Sequence, residues 1–320
     1  MLNAQQIFKN LLPHLWLRPE RALWDSLELG AVSKMLLPNL KSPSMEYGCI
    51  DGLNTFLMLG GRLNFEFDDY MDIPDSEINK EVLRNRDVFE AMPKDIHLPI
   101  IKAPIAQFDL GLSWKESHLK RANRLGVYKS LELMEFDKVD GASFGKFQTI
   151  WAPQLFWTSE EFILEKLKDL HSMLNEDGHL ITILPMELQK SEEIMQKINL
   201  PSEVFKILDK GISNNFCKLA RAATEWEQLF NRANLVLVER SGFIDPIVGG
   251  FYQFGFRPLL APLLKMHYAL KDAPYGKFME FKKNWVNTIH RFVDPIISRH
   301  ESCNSLSNHL WMACRLKRKI

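Results

Sequence analysis

The sequence has few cysteines and no excess of charge of either sign. Four cysteines in 320 residues lie far apart and show neither the density of a disulfide scaffold nor the paired spacing of a zinc site; they are Cys49, Cys217, Cys303 and Cys314. Such isolated thiols are typical of a reducing compartment, so we expect a cytoplasmic protein. Lys and Arg together number 40, as do Asp and Glu. No global field attracts nucleic acid, and no nucleic-acid partner is expected.

Several functional signatures are also missing. No segment approaches the roughly 20 apolar residues of a membrane span, and the first residues lack the basic cluster and apolar run of a secretory signal. The nine histidines show no His-x-x-x-His spacing, so no metal is expected. Neither a Gly-x-Ser-x-Gly elbow nor a phosphate loop ending in Gly-Lys-Ser/Thr is present, which excludes the usual forms of serine hydrolase and P-loop chemistry.

What is present is the composition of a folded protein, 46% hydrophobic and 25% charged, with strands and helices that alternate. A helix over 20–37 precedes a strand over 44–47, a glycine turn and a helix over 53–59. Further strands are predicted over 107–112, 130–136, 147–151, 179–184 and 235–240, with helices over 115–125, 159–174 and 224–233 between them. This order predicts an α/β fold, a mostly parallel sheet with helices on both faces.

The chain divides into three regions by pattern. Residues 1–39 form an N-terminal helical segment, 40–241 an α/β domain with an acidic, proline-punctuated insertion over 62–102, and 242–320 a C-terminal helical cap. In the cap, Tyr275 to Val293 is the longest predicted helix, and 309–316 is predicted as a final edge strand. From Arg257 onward twelve bases face four acids, whereas residues 1–256 carry 28 bases and 36 acids. The neutral total therefore hides two oppositely charged regions, and we expect the basic cap either to dock on the acidic body or to meet an anionic acceptor.

The first glycine turn is the clearest local motif. Glu46-Tyr47-Gly48-Cys49-Ile50-Asp51-Gly52 leads from a strand into a helix N-terminus. Glycines there allow a ligand to approach the backbone, whose amides and helix dipole favour an anionic or polar group. On its own the pattern is equally that of a tight connection between a strand and a helix.

In its order of motifs, the chain over about 40–240 resembles the class I S-adenosylmethionine-dependent methyltransferases. The glycine turn resembles their first motif, 108–113 the end of their second strand, 133–136 the adenine-side motif and 174–180 the turn into their fifth strand. The resemblance implies a Rossmann-like sheet that binds S-adenosylmethionine and transfers its methyl group to a small-molecule or glycan-like acceptor. The residues implied are Glu46, Gly48, Cys49, Asp51 and Gly52 at the methionine end, Ser113 and Trp114 at the ribose, and Glu135 and Phe136 at the adenine.

Three positions depart from the family pattern. Ile50 replaces the middle glycine, and a β-branched residue disfavours positive φ and fills space. Ser113 replaces the acid that pairs with the ribose, and Pro153 follows the fourth strand where a polar group is common. These departures support an alternative, a methyltransferase-like protein without cofactor use that acts as a binding or regulatory partner. A third alternative keeps the fold but catalyses a reaction other than methylation.

Outside these motifs, four residues are candidates for contact with the acceptor. Trp16 and Arg18 lie in a segment similar to a lid of the family, and Tyr252 and Arg257 lie before the C-terminal helices. The alternative for both pairs is packing on the core. Cys49, at a helix N-terminus, is either a stabilised thiolate or an inert buried thiol. No residue is identified as a catalytic base, since methyl transfer depends chiefly on positioning.

Overall fold

The computed structural model describes residues 3–67, 98–135, 144–153, 159–186, 201–203, 219–271, 273–301 and 309–319. Within these ranges nine strands form a seven-stranded sheet and a separate two-stranded one. The strands are β1 (Ser44–Tyr47), β2 (Arg62–Leu63), β3 (Ile100–Lys102), β4 (Phe108–Ser113), β5 (Tyr128–Leu133), β6 (Phe147–Ala152), β7 (Leu174–Pro185), β8 (Leu235–Phe243) and β9 (Trp311–Arg318).

The helices of the described chain alternate with these strands as the sequence predicts. They are α1 (Ala4–Leu11), α2 (Pro19–Leu36), α3 (Leu53–Met58), α4 (Glu116–Leu125), α5 (Glu160–Met173), α6 (Ala223–Arg232), α7 (Pro246–Gly250), α8 (Leu260–Lys271) and α9 (Tyr275–Glu301). A π-helical segment, Phe251–Phe256, joins α7 to the C-terminal helices. The predicted α/β fold is confirmed, with helices packed around a mostly parallel sheet.

The large sheet has the order β5-β4-β1-β6-β7-β9-β8. Strand β1 pairs in parallel with β4 on one side and β6 on the other, so it lies at the centre. Parallel strands here are covered on both sides and are correspondingly apolar, as in β6 and the second half of β7. The carboxyl ends of β1, β4, β5, β6 and β7 therefore meet at one edge of the sheet.

The last strand corrects one prediction. We expected 309–316 to be an edge strand, but β9 lies between β7 and β8 and pairs antiparallel with both. Met312, Ala313, Cys314 and Leu316 are buried although neighbouring residues of a strand point to opposite faces, so both faces of β9 are covered, as expected of a strand inside the sheet. The C-terminal region thus contributes a strand to the main sheet as well as helices.

Two further boundaries differ from the prediction. The turn expected within 174–180 is part of β7, where it forms a bulge: Phe147 pairs with Leu174, but Thr149 pairs with His179. Helix α9 continues past Val293 to Glu301 although Pro295 lies inside it. Val293 and Ile297 are fully buried, so the apolar face that holds this helix in place extends across the proline.

The acidic insertion and the basic C-terminal region meet at a few described residues. Strands β2 and β3 pair antiparallel at the base of the insertion, and residues 68–97 within it lie outside the described ranges. Lys282 of α9 is fully buried and its Nζ donates to the carbonyl of Phe67 at 2.9 Å. In β9, Arg315 pairs with Glu239 at 2.9 Å. Two of the basic residues of the C-terminal region thus bind polar groups of the same chain. Among the described helices, none is long and apolar enough to cross a membrane.

Helix α2 is buried over most of its surface, because it contacts α1 on one side and β7, β8 and β9 on another. The contact with α1 depends on Gly30. A Cβ placed on Gly30 would lie 2.9 Å from the Cβ of Ala4. That spacing is below van der Waals contact, so α1 and α2 can pack this closely only because the position has no side chain.

Replacing Gly30 with Ala tests this contact. We expect the free energy of unfolding to fall by about 1–2 kcal/mol, because overpacking outweighs the gain in helix propensity. Gly276→Ala in α9 is the matched control, since a Cβ there meets nothing within 4 Å, and it is expected to raise stability by about 0.5 kcal/mol. Urea unfolding of both variants measures the difference. Equal effects would show that the two helices are not in tight contact.

Candidate functional site

The turn between β1 and α3 lies at the carboxyl edge of the central strand. Gly48 and Gly52 have φ angles of 85° and 74°, in the left-handed region that favours glycine. The amides of Gly48 and Cys49 both donate to the carbonyl of Leu112, at 3.0 and 2.8 Å. These bonds attach the turn to the end of β4. The chain then enters α3 with Gly52 as its N-terminal cap residue.

Ile50 adopts the left-handed backbone conformation of this turn despite its β-branched side chain. Its φ is 45°, which is uncommon for a β-branched residue and costs about 1–2 kcal/mol. We expected Ile50 to disfavour positive φ, yet the structure adopts it. The bonds to Leu112 and the two flanking glycines determine the path of the chain, and the turn accommodates the strain at Ile50.

Close packing beneath the turn also requires glycine at position 52. A Cβ there would lie 3.1 Å from the ring of Tyr128 and 3.3 Å from the Cβ of Ala122 in α4. Cys49 beside it is buried, and burial together with Glu46 raises the pKa of its thiol. A thiolate is therefore disfavoured, which supports the alternative of an inert thiol at Cys49.

Glu46 is a buried acid just before the turn. Its Oε2 accepts hydrogen bonds from the hydroxyl of Thr55 at 2.7 Å and from that of Tyr128 at 2.8 Å. Burial raises the pKa of Glu46 to about 7, although both hydrogen bonds oppose the shift. The carboxyl group thus links β1, α3 and β5. Tyr128 and Thr55 were not identified from the sequence, since neither lies in a motif.

Asp51 is held by α4 rather than left open. Its Oδ2 lies 3.0 Å from Nε of Arg121, and its Oδ1 accepts the amide of Leu53 at 3.3 Å. The Arg121 guanidinium lies 5.9 Å from the ring centroid of Phe67. This pair is nearly buried, so it orients the first turn of α3 and places a charged pair next to the glycine turn.

The predicted ribose and adenine residues lie beside the turn, at the ends of β4 and β5. Ser113 is fully buried with its Oγ 3.3 Å from Nδ1 of His118, and Trp114 packs edge-on against the same histidine. The amide of Met134 donates to the carbonyl of Ser113 at 2.9 Å. Glu135 follows and is exposed, whereas Phe136 lies outside the described residues. His118 is a neighbour of this site that the sequence motifs did not indicate.

The candidates for acceptor contact have different surroundings. Trp16 is fully buried against His267 and Phe278, and its carbonyl accepts the indole N–H of Trp285 at 3.0 Å. Trp16 therefore packs in the core and does not form a lid. Arg18 forms an ion pair with buried Glu20, which again supports packing.

Tyr252 and Pro153 both lie close to the carboxyl edge of the sheet. Tyr252 is partly exposed and lies against Trp24, with ring centroids 4.8 Å apart. Pro153 directly follows β6, and residues 154–158 lie outside the described ranges. The side chain of Arg257, the fourth candidate for acceptor contact, is not among the described side chains either. Tyr252 is thus the acceptor candidate whose described environment is compatible with contact.

Comparisons with known proteins match structure but not sequence. No protein-family model and no curated protein sequence matches the chain. Solved structures that are similar include a SAM-dependent methyltransferase from Geobacter sulfurreducens with S-adenosyl-L-homocysteine, at 12% identity and a TM-score of 0.38 over 86% of this chain and 84% of that one. Another is PKMT2 from Rickettsia typhi with AdoHcy, at 12% identity and a TM-score of 0.39 over 98% of this chain and 54% of that one. A third is an O-methyltransferase from a Brevibacillus brevis trans-AT PKS multienzyme with S-adenosyl-L-homocysteine, at 12% identity and a TM-score of 0.37 over 96% of this chain and 79% of that one.

The order of the large sheet shows the fold class directly. Counted along the chain, its seven strands have the order 3-2-1-4-5-7-6, and only the seventh runs opposite to the others. The first six have the order of a Rossmann sheet. The fold is therefore Rossmann-like, as the sequence resemblance implies, and the glycine turn directly follows its first and central strand.

The raised pKa of Glu46 predicts a pH dependence of stability. In the unfolded chain the carboxyl ionises near its ordinary value of 4.5, but in the folded protein it retains its proton up to about 7. The stability that Glu46 contributes is therefore present below pH 4.5 and is lost as pH rises to 7. Relative to Glu46→Gln, the parent should lose on the order of 3 kcal/mol over this interval.

Urea unfolding at several pH values between 4 and 8 measures this difference. Glu132→Gln removes an exposed carboxylate on β5 and is the control, since its pH dependence should match that of the parent. Parallel curves for the parent and Glu46→Gln would contradict this, because they would show that Glu46 ionises at the same pH in the folded and the unfolded chain.

Proposed function

We propose that this protein binds S-adenosylmethionine at the carboxyl edge of the sheet and transfers its methyl group to a small-molecule or glycan-like acceptor. The observation that carries the proposal is the turn from Gly48 to Gly52, which keeps left-handed backbone at three positions and is bonded to the end of β4. In open α/β sheets, ligands bind in the crevice outside the carboxyl ends of the strands. The turn lies at that place, next to the central strand.

The residues at this edge suit the parts of the cofactor. Gly48, Cys49 and Gly52 would present backbone to the methionine portion, while Glu46 and Asp51 hold the turn from below and from the side. Ser113 and Trp114 would lie at the ribose, and Glu135 and Phe136 at the adenine. Glu135 is exposed at the end of β5 and suits a group that enters from solvent.

When bound, the cofactor supplies an electrophilic methyl group on a sulfonium. The chain's own contribution is to orient and to exclude water. Helix α2 covers the edge between α3 and β9, since Asp25 contacts Asn54 of α3 and Trp24 contacts Trp311 of β9. Holding two reactants in line accounts for much of the rate in such reactions. No residue is assigned as the catalytic base.

A second candidate, a binding or regulatory protein that does not use the cofactor, is supported by Ser113. Its hydroxyl is fully buried against His118 and is therefore directed into the protein. It would form weaker hydrogen bonds with the ribose than a carboxylate would. The strained Ile50 also occupies the position of a glycine. A cytoplasmic location is proposed for either candidate from the isolated cysteines, of which Cys49 and Cys314 are free and buried.

Calorimetry with S-adenosylhomocysteine tests the cofactor proposal. We expect the parent to bind, and Gly52→Ala to bind at least about tenfold more weakly, equivalent to roughly 1.4 kcal/mol, because the added Cβ displaces Tyr128 and strains the turn. Gly126→Ala is the matched control. Gly126 also has positive φ, at 64°, but it caps α4 at the amino edge and a Cβ there meets nothing within 4 Å.

The outcomes separate the two candidates. Binding by the parent and Gly126→Ala, with loss in Gly52→Ala, supports a cofactor site at the turn. No heat from the parent at millimolar ligand would reject the enzyme proposal. In that case, a variant carrying Ile50→Gly and Ser113→Asp that gains binding would identify the site as one that has lost its ligand.

A further inference from the structure

An apolar surface lies where helix α7 and the π-helical segment pack against helix α9. Phe292 of α9 is 55% exposed, and Ile247 of α7 is 45% exposed. Phe251 connects them, because its amide donates to the carbonyl of Ile247 and its ring centroid lies 6.0 Å from that of Phe292. We refer to Ile247, Phe251 and Phe292 as the apolar surface.

The rings of the apolar surface are held in place from below. Phe256 is buried, and its ring centroid lies 6.1 Å from that of Phe292 and 6.5 Å from that of Phe251. The rings of Phe251 and Phe292 meet edge-on, with 76° between their planes. Exposed apolar side chains that occur singly are common, whereas connected ones indicate an interaction site. The contacts among these rings therefore favour a binding surface.

Basic side chains surround the apolar surface. Arg291 adjoins Phe292, and Arg299 lies seven residues after Phe292, which places it two turns further along the same side of α9. Among the described side chains of α9, the exposed charged ones are four bases and one acid: Lys277, Lys283, Arg291, Arg299 and Glu280. The exposed side of this helix is therefore positively charged.

Two acids close to the apolar surface in sequence do not cancel this charge. Asp245 caps α7, since its Oδ1 accepts two amides of that helix at 2.8 and 2.9 Å. Asp294 lies two residues after Phe292 and hence on another side of α9, where its Oδ1 is 3.8 Å from Nε2 of His290. Among the described residues, no acid forms an ion pair with Arg291.

We propose that the apolar surface docks on an anionic phospholipid bilayer, with its side chains in the headgroup region and the neighbouring bases against lipid phosphates. Aromatic and aliphatic side chains enter this region, and nearby Lys and Arg are attracted to anionic lipids. Two exposed apolar side chains are few for a stable interface with another protein, which buries about 800 Å² on each partner. A bilayer requires fewer of them when basic residues add to the attraction.

The apolar surface adjoins the carboxyl edge of the sheet. Helix α7 begins three residues after the end of β8, and Phe251 directly precedes Tyr252, whose ring centroid lies 4.8 Å from that of Trp24. Docking therefore brings the carboxyl edge close to the bilayer. Combined with the proposed methyl transfer, on which this last step rests, it assigns an acceptor that is held at the membrane surface.

Co-sedimentation of the full chain with lipid vesicles tests the docking. Vesicles of phosphatidylcholine alone are compared with vesicles that also contain about 30% phosphatidylglycerol. We expect the parent to bind the anionic vesicles at least about fivefold more tightly, and high salt to weaken this binding. Phe292→Ala and Ile247→Ser should each weaken it by about threefold, whereas Phe292→Trp keeps an aromatic ring and should bind as the parent does.

Matched variants separate charge from apolar contact. Replacing both Arg291 and Arg299 with Gln should weaken binding to the anionic vesicles by about fivefold. Lys283→Gln is the control for charge, because Lys283 lies nine residues before Phe292 and thus on the opposite side of α9. Ile101→Ala is the control for exposed apolar side chains, since Ile101 is 60% exposed but belongs to β3. Both controls should bind as the parent does.

The results that would overturn the docking are distinct. They are no binding to either kind of vesicle, equal binding to both, control variants that lose as much as Phe292→Ala, and unchanged binding by Phe292→Ala and Ile247→Ser. Ile247 is exposed, so its replacement tests the surface even where Phe292→Ala unfolds. S-adenosylhomocysteine is titrated into the same samples: its binding without vesicle binding overturns only the docking, and vesicle binding without its binding rejects only the cofactor proposal.

Discussion

Two hydrogen bonds, from the amides of Gly48 and Cys49 to the carbonyl of Leu112, determine how the centre of this molecule is arranged. They join the end of β1 to the end of β4 at the point where the chain reverses into α3. Glu46, Thr55 and Tyr128 meet directly below, and Asp51 reaches Arg121 at the side. Because the turn is held from three directions, its backbone tolerates isoleucine at a position where φ is positive.

The two ends of the chain complete the other side of the same edge. Helix α2 arrives from the N-terminus and β9 from the C-terminus, and they meet through Trp24 and Trp311. An antiparallel strand inserted between β7 and β8 brings its first residue to the carboxyl ends of both neighbours. The fold therefore brings Trp24 and Trp311 together at the edge that also carries the glycine turn, although the two residues are almost 300 positions apart in sequence.

The elements that depend only on neighbouring residues could be predicted from the sequence. The strand, turn and helix over residues 44–58 follow from β-forming residues, glycines and an apolar helix, and the cap of α5 follows from Ser159, whose side chain accepts the amide of Phe162. The position of β9 could not, because an alternating pattern gives the buried face of a strand but not its partners. Tyr128 and His118 were missed for a related reason: their roles depend on contacts with Glu46 and Ser113 across the sheet edge, and no spacing in the sequence encodes those contacts. The sequence left Trp16 open between a lid and the core because an indole beside an arginine has the same pattern in both, and its full burial in the structure favours the core.

A crystal structure with S-adenosylhomocysteine shows whether the turn from Gly48 to Gly52 is a cofactor site. We expect electron density for the methionine portion against the backbone of the turn, with the ribose near Ser113 and the adenine near Glu135. The sulfur should face the side of the edge where α2 carries Asp25. Density at another place, or a side chain of Ile50 that fills the space over the turn with no ligand bound at saturating concentration, would contradict it.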